Sequence, residues 1–389
     1  MKKVKLTTIF IILILALLST SVYASEGSSI SIESKSAILI NGNTGEVLFE
    51  HNKDEKLPPA SITKIMTMLL TMEALESGKI KLDDEVVISQ EASEMGGTQL
   101  YMEAGEKKTV KELLIGVAVE SANDAASALG EYIGGTGESF IVLMNDRAKE
   151  LGMVNSQFKN PHGLPVEGHY TTANDIAIMS RELVKHEEIH EYLTMWMVDI
   201  NVGKNKDRVR TLANTNKLLK SYQGLDGIKT GFTTEAKHCL SATAKKNNLR
   251  LISVILSAED SKVRFNEAAK LLDYGFANYE GLCVAEKGEA LQDVIIEKGL
   301  LEKISVITED PLCVMVKKGD NSQIERKVVL EPSYMAPIER GQKLGELIAF
   351  SGDREIGKTN LVAKDRVEKS NLLIMFNKIL KRWLEAKKE

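Results

Sequence analysis

Three short motifs stand in one order along the chain: Ser61-Ile-Thr-Lys64, Ser121-Ala-Asn123 and Lys229-Thr-Gly231. A serine three residues before a lysine can act as a nucleophile served by an amine base, the chemistry of acyl transfer without histidine. Each motif alone carries little, since a second Ser-x-x-Lys occurs at Ser156-Gln-Phe-Lys159. The setting separates the two. Ser61 follows Pro58-Pro59 and opens a helical pattern, whereas Ser156 lies just before Pro161 and Gly163, in a stretch that reads as loop or strand.

A lysine base faces a problem of magnitude. Its reference pKa is about 10.4, so holding it neutral near pH 7 costs roughly 4–5 kcal/mol at about 1.36 per unit. Desolvation, a helix N-terminus and a second cation can lower that pKa. Lys229 is the natural second cation, Ser121 can relay a proton to the leaving group, and Asn123 offers an amide to a peptide carbonyl. Lys229 and Thr230 would attract a carboxylate. Gly231 would let an extended substrate approach an edge strand closely.

Elements that could position these residues are legible in the spacing. Ser36–Ile40 and Glu46–Glu50 alternate around Asn41-Gly-Asn-Thr-Gly45, a hairpin signal. Ile62, Ile65, Met66, Leu69 and Leu70 recur at helical spacing up to Gly78. Further helices are expected from about Val110 to Gly152. Cys239–Ala244 and Leu249–Leu256 read as strands, and Ser261 to about Phe276 as a helix. Strands at both ends of this region enclose a helical middle. The expected fold is α+β: an antiparallel sheet with an inserted α-helical cluster, over residues 25–277. Short β-rich runs with turn signals then suggest a small all-β domain over 278–365.

The ends carry targeting signals. Met1–Ala24 has a basic start, an apolar run from Ile9 to Leu18 and a small-residue cleavage site at Val22-Tyr-Ala24, the pattern of a secretory signal. An uncleaved anchor is the alternative; either way the remaining chain is expected outside the cytoplasm. The tail, 366–389, reads as an amphipathic helix. Leu372, Phe376, Ile379, Leu380 and Trp383 form one face and lysines lie around it, suited to a membrane interface. A helix docked on the β domain is the alternative.

The formal net charge of −5 gives no reason to expect a nucleic-acid partner. Cys239, Cys283 and Cys313 are too few for a disulfide framework; Cys239 is expected to be buried, and a Cys283–Cys313 pair remains a minor alternative. His186-Glu-Glu-Ile-His190 satisfies a zinc-protease pattern, but no third ligand follows at the longer family's spacing. No metal or cofactor is expected.

The motif set resembles the D-alanyl-D-alanine carboxypeptidases, the low-molecular-mass penicillin-binding proteins. The likeness extends through Pro58-Pro-Ala-Ser-Ile-Thr-Lys64, Glu120-Ser-Ala-Asn-Asp-Ala125, Asn160-Pro-His-Gly-Leu164 and Asp226-Gly-Ile-Lys-Thr-Gly-Phe-Thr233. Ala336-Pro337 and Gly341-Gln-Lys-Leu-Gly345 look like that family's β domain. The middle motif has Ala122 where the family often has glycine. The resemblance implies a penicillin-binding/β-lactamase-like fold, with Ser61 as nucleophile, Lys64 as base and Ser121 as proton shuttle. It implies the N–H groups of Ser61 and Phe232 as oxyanion hole, and Arg264 as the arginine that holds the substrate's carboxylate. The implied substrates are peptidoglycan stem peptides ending in D-Ala-D-Ala, with β-lactams as covalent inhibitors, at the outer face of the plasma membrane. A class A β-lactamase would need a Glu-x-x-Asn segment after the middle motif, and none stands between Asn123 and Lys229. A non-catalytic wall-binding protein would not need the full nucleophile, base and shuttle set.

Overall fold

The structure is a computed structural model that describes residues 30–205, 207–320, 323–371 and 374–376. The expected signal segment, and most of the expected tail helix, lie outside the described residues.

The central sheet is built from both ends of the first domain. Strands β1 (Ser36–Asn41), β2 (Val47–His51), β3 (Leu225–Thr233), β4 (Lys237–Lys246) and β5 (Leu249–Ala258) pair antiparallel in the order β2-β1-β5-β4-β3. Tight turns join β1 to β2 and β4 to β5, so those pairs are local. The β1–β5 pairing, Ile38 opposite Val254, closes the sheet across the whole helical insertion. That insertion contains α1 (Lys64–Glu76), α2 (Asn123–Gly134), α3 (Gly137–Glu150) and α4 (Ala173–Leu183). Helix α5 (Ser261–Asn278) follows β5; Asp260 caps it by accepting from the N–H groups of Lys262 and Val263.

Helix α1 is the axle of the domain. Periodicity alone suggests one apolar face, yet Ile65, Met66, Met68, Leu69 and Met72 are all buried, together with Thr67 and Thr71. A helix enclosed on nearly every side is what an apolar sequence with few charges produces. Each large side chain removed from water contributes about 1.5–3 kcal/mol, which makes α1 a rigid base for whatever stands at its N-terminus.

The second domain is all-β, as expected. It follows α5 directly with β6 (Tyr279–Ala285), β7 (Ala290–Glu297), β8 (Lys303–Thr308), β9 (Leu312–Lys317), β10 (Ile324–Leu330), β11 (Ser333–Met335), β12 (Lys343–Ser351) and β13 (Arg354–Ala363). Six strands form one sheet in the order β10-β12-β13-β8-β7-β11, and β6 pairs with β9. Cys283 and Cys313 stand opposite each other in that pair and form a disulfide. The minor alternative for the cysteines is therefore the one observed, because non-local β pairing brings together residues 30 apart in sequence. Cys239 is free and buried.

One sequence expectation needs correction here. Helical character was expected from residue 366, but Val367 bridges Ile338 and Lys369 bridges Gly299, in extended backbone against the β domain. Val367 belongs to that domain's core. Helix is observed only at Ile374–Phe376 among the described residues of the tail. The His186 and His190 side chains do not converge: His186 Nδ1 lies 3.2 Å from Glu76, and His190 Nδ1 lies 3.3 Å from the Asp226 carboxylate.

Candidate active site

Ser61 sits in a 3-10 turn, Ala60–Thr63, that runs straight into α1. Helix N-termini leave N–H groups without intrahelical partners, and Ser61 lies among them. Ala60 is held at φ 48°, a left-handed conformation unusual for alanine, immediately before the serine. Two neighbours hold the turn. Gly163 (φ +92°) presses on it so closely that a Cβ there would lie 1.8 Å from the Ala60 carbonyl oxygen. His169 reaches it through Thr63. Because His169 Nδ1 accepts from the Lys159 N–H at 3.0 Å, its proton is on Nε2, which lies 2.8 Å from Thr63 Oγ1; that hydroxyl then donates to the Ala60 carbonyl at 2.9 Å. Burial pushes His169 down to about 4, so the imidazole stays neutral.

Lys64 is fully buried one turn later. Its amine lies 3.1 Å from Ser61 Oγ, 2.6 Å from Asn123 Oδ1 and 2.7 Å from the His162 carbonyl. The last two partners can only accept. A neutral amine has two N–H bonds, which those acceptors take up, leaving its lone pair directed at Ser61. Burial, followed by the charge of Lys229, holds the Lys64 pKa well below the ordinary lysine value; Asp124 opposes this in part.

Asn160-Pro-His-Gly-Leu164 supplies the second acceptor. Asn160 Oδ1 accepts from the Gly163 N–H at 2.6 Å and its amide donates to the Leu164 carbonyl at 2.9 Å, so one side chain folds the loop. Thr67 on α1 donates to the Pro161 carbonyl at 2.6 Å and pins it. Sequence reasoning noticed this segment only as a resemblance; an asparagine opening a Pro-x-Gly turn was the available signal.

Ser121 follows a π-helical turn, Gly116–Glu120, and adopts φ 67°, ψ 33°. This left-handed residue ends the turn and lets Ala122 lead into α2. Ser121 is buried two positions before Asn123, yet the three hydrogen-bond partners of Lys64 do not include it. Asn123 has a task that its sequence does not reveal: besides accepting from Lys64, it donates to the Gly96 carbonyl at 2.6 Å. Asp124, fully buried beside it, accepts from the N–H groups of Leu100 and Met102 at 3.0 and 3.3 Å. The two side chains clamp the 96–102 loop over the site.

Strand β3 forms the opposite wall, at the sheet edge where a peptide strand could add. Lys229 is buried and donates to the Thr230 carbonyl at 3.2 Å; burial and the charge of Arg264 push it down to about 7, against the pull of Glu120. Thr230 Oγ1 donates to Thr215 Oγ1 at 2.7 Å, a partner that sequence reasoning missed. The expected use of Gly231 is incomplete. A Cβ on it would lie 3.1–3.2 Å from Ser61 N, Ala60 Cβ and Ile62 Cγ1, so the glycine first of all admits the protein's own 3-10 turn. The Phe232 side chain is exposed and stacks at a tilt on His238. Arg264, buried on α5, donates through Nη1 to the Gly231 and Cys239 carbonyls at 2.9 and 3.2 Å, while its Nε has no partner. A cavity of about 940 Å³, lined by residues of both domains, contains none of these residues. Ser156, the second Ser-x-x-Lys serine, is bound to Asp175 at 2.7 Å in a loop elsewhere.

A serine and a buried lysine at a helix start, facing an edge strand of a five-stranded antiparallel sheet, define a lysine-assisted serine acyl-transfer fold. Residues 22–260 match the D-alanyl-D-alanine carboxypeptidase family model, and residues 279–369 match the penicillin-binding protein 5 C-terminal domain. The chain belongs to the D-alanyl-D-alanine carboxypeptidase family of serine peptidases. It is 40% identical to the D-alanyl-D-alanine carboxypeptidase DacF of Bacillus subtilis over 98% of this chain and 99% of that protein. It is 34% identical to DacC of Escherichia coli over 87% and 85%. Penicillin binding protein 5 from Haemophilus influenzae superposes with a TM-score of 0.67 at 29% identity, covering 87% of this chain and 99% of that one. Penicillin-binding protein D2 from Listeria monocytogenes in its ampicillin-bound form gives 0.57 at 33% identity, covering 64% and 99%.

Proposed function

We propose that this carboxypeptidase works through a Ser61 acyl-enzyme with Lys64 as its base. The observation that carries the reading is the buried Lys64 amine, 3.1 Å from Ser61 Oγ and held by two other acceptors. Ser61 Oγ attacks the carbonyl between the two D-alanines while its proton passes to Lys64. The C–N bond then breaks, and Ser121 hands that proton to the departing D-alanine amine. Water attacks the ester, gives its proton back through Lys64 and frees Ser61. The N–H groups of Ser61 and Phe232 take the oxyanion. Asn123 orients the acyl donor's amide with the N–H it has left. Lys229, Thr230 and Gly231 line the channel for the terminal carboxylate, and Arg264 adds positive charge from behind the strand.

Penicillin acylates the same serine; the ampicillin-bound form of the Listeria relative supports this. The mature enzyme acts on the outer face of the plasma membrane, delivered by the Met1–Ala24 signal and held by the C-terminal helix. No helix of the described residues is long and apolar enough to cross a membrane. Release of D-alanine from a D-Ala-D-Ala peptide, and covalent β-lactam labelling, should both vanish in Ser61→Ala. Labelling that persists in that variant would overturn the assignment.

A further inference from the structure

The turn that joins β7 to β8, residues 298–302, has a composition unlike most turns. Turns favour glycine, asparagine and aspartate. Here Lys298 (φ 54°) and Gly299 are followed by Leu300 and Leu301, which are 40% and 50% exposed. Met335, opposite Glu297 in the β7–β11 pair, is level with the last strand residue before the turn and is 58% exposed. Alternation along β7 and β8 accounts for the buried Val294, Ile296 and Ile304; the leucines lie beyond it, on the turn. The C-terminal segment is fastened at the same place. Gly299 bridges Lys369, the Leu300 N–H donates to the Glu368 carbonyl at 2.9 Å, and the Ser370 N–H donates to the Lys298 carbonyl at 2.7 Å. The chain therefore leaves the β domain at this turn.

We propose that the 298–302 turn enters the headgroup layer of a lipid bilayer, with Leu300, Leu301 and Met335 as its apolar contact. The inference rests on the reading above that the C-terminal segment binds a membrane. The length of the tether carries it. An extended residue spans at most about 3.6 Å, so Leu372, the first apolar residue of the tail's expected face, starts within about 7 Å of Ser370. An interfacial helix buries its apolar face about 5–10 Å into the headgroup and acyl boundary. A tail seated there, fastened to the turn through residues 368–370, brings the leucines to the same layer. Charge has little part in this contact: Lys298 and Lys303 flank the leucines, and Glu302 adjoins them. The turn adds apolar insertion, while the lysines of the tail add attraction to anionic lipid. Two leucines and a methionine, already partly covered, are too few to hold the protein by themselves.

The test uses the mature full chain and vesicles of phosphatidylglycerol and phosphatidylcholine in equal parts. Cys239 is buried and Cys283 is paired with Cys313, so a cysteine introduced at Leu301 is the accessible thiol. A bimane on Leu301→Cys should be quenched by brominated lipid. The same label on Asp353→Cys should not be, since Asp353 precedes Arg354, whose ion pair with Glu46 faces the first domain. Leu300→Asn/Leu301→Asn should bind the vesicles about tenfold more weakly than the parent, with the parent Tm and the parent activity on a small soluble peptide. That ratio should hold as salt is raised, although both affinities fall. Vesicle binding by the full chain without quenching at Leu301→Cys overturns the inference and leaves the tail reading standing, as does a ratio of one. A bimane shielded from water before lipid is added would show the tail, or a second copy of the chain, seated on the turn, and overturns the inference too. No vesicle binding by the full chain overturns the tail reading and the inference with it.

Discussion

Lys64 illustrates how one residue can be chemically useful only because its surroundings are costly. An ammonium buried beside a second cation is unfavourable, and two fixed acceptors keep the neutral amine aimed at Ser61. Arginine would carry a permanent charge in the same place. Lys64→Arg should therefore fold and show no β-lactam acylation; near-normal acylation would rule out lysine as base. The pH profile follows with its sign. Acylation needs neutral Lys64, so the rate rises with pH through the depressed Lys64 pKa. Lys229 must keep its proton, and in the free enzyme burial and Arg264 push it down to about 7. The profile of kcat/KM should be bell-shaped, with its basic limb beginning near pH 7. A bound carboxylate favours protonated Lys229, so the basic limb of kcat should lie higher than that of kcat/KM. Profiles flat from pH 6 to 10 would refute the two-lysine arrangement.

At the scale of elements, the site is the meeting of three pieces: the 3-10 start of α1, the left-handed break before α2, and the edge strand β3. Contacts too tight for a side chain set how they meet. Gly163 against Ala60 is the tightest of them. Alanine at 163 would combine an unfavourable φ with a clash against backbone that has no room to retreat. Gly163→Ala should cost about 2–4 kcal/mol of stability, read as a fall in Tm, and should slow acylation by displacing the Ser61 turn. A variant with the parent Tm and acylation rate would show that the loop yields where it is expected to be rigid. Arg264 belongs to this scale as well. Its hold on the Gly231 and Cys239 carbonyls ties α5 to the two strands behind the site.

For the whole molecule, chemistry and tethering are separable. All the site residues precede residue 265, while the expected tail helix begins beyond the β domain. The division point is later than the sequence suggested, because Val367 is in the β-domain core and Ser370 donates its N–H to the Lys298 carbonyl at 2.7 Å. A chain ending at Asn371 should be soluble and keep full activity on a small D-Ala-D-Ala peptide, whereas the full chain should bind anionic vesicles in a salt-sensitive way. Vesicle binding that survives the truncation, once the N-terminus is shown to be processed, would place the anchor elsewhere.

Local pattern by itself determined the motif order, the strands and helices that carry the motifs, and the decision for Ser61 over Ser156. Those are questions of spacing, turn residues and helix starts, all set within a few positions of the chain. Even the antiparallel closure from both ends was legible, since strand signals bracket the helical insertion. Tertiary structure alone decided the partners of Lys64, because Asn123 and the His162 carbonyl lie 59 and 98 positions away. It also decided the contact that Gly231 makes with the Ser61 turn, and the Cys283–Cys313 pairing, which depends on β register. The pKa of Lys64 belongs to the same class. Burial and the nearness of another charge are properties of packed space, and no pattern along the chain contains them.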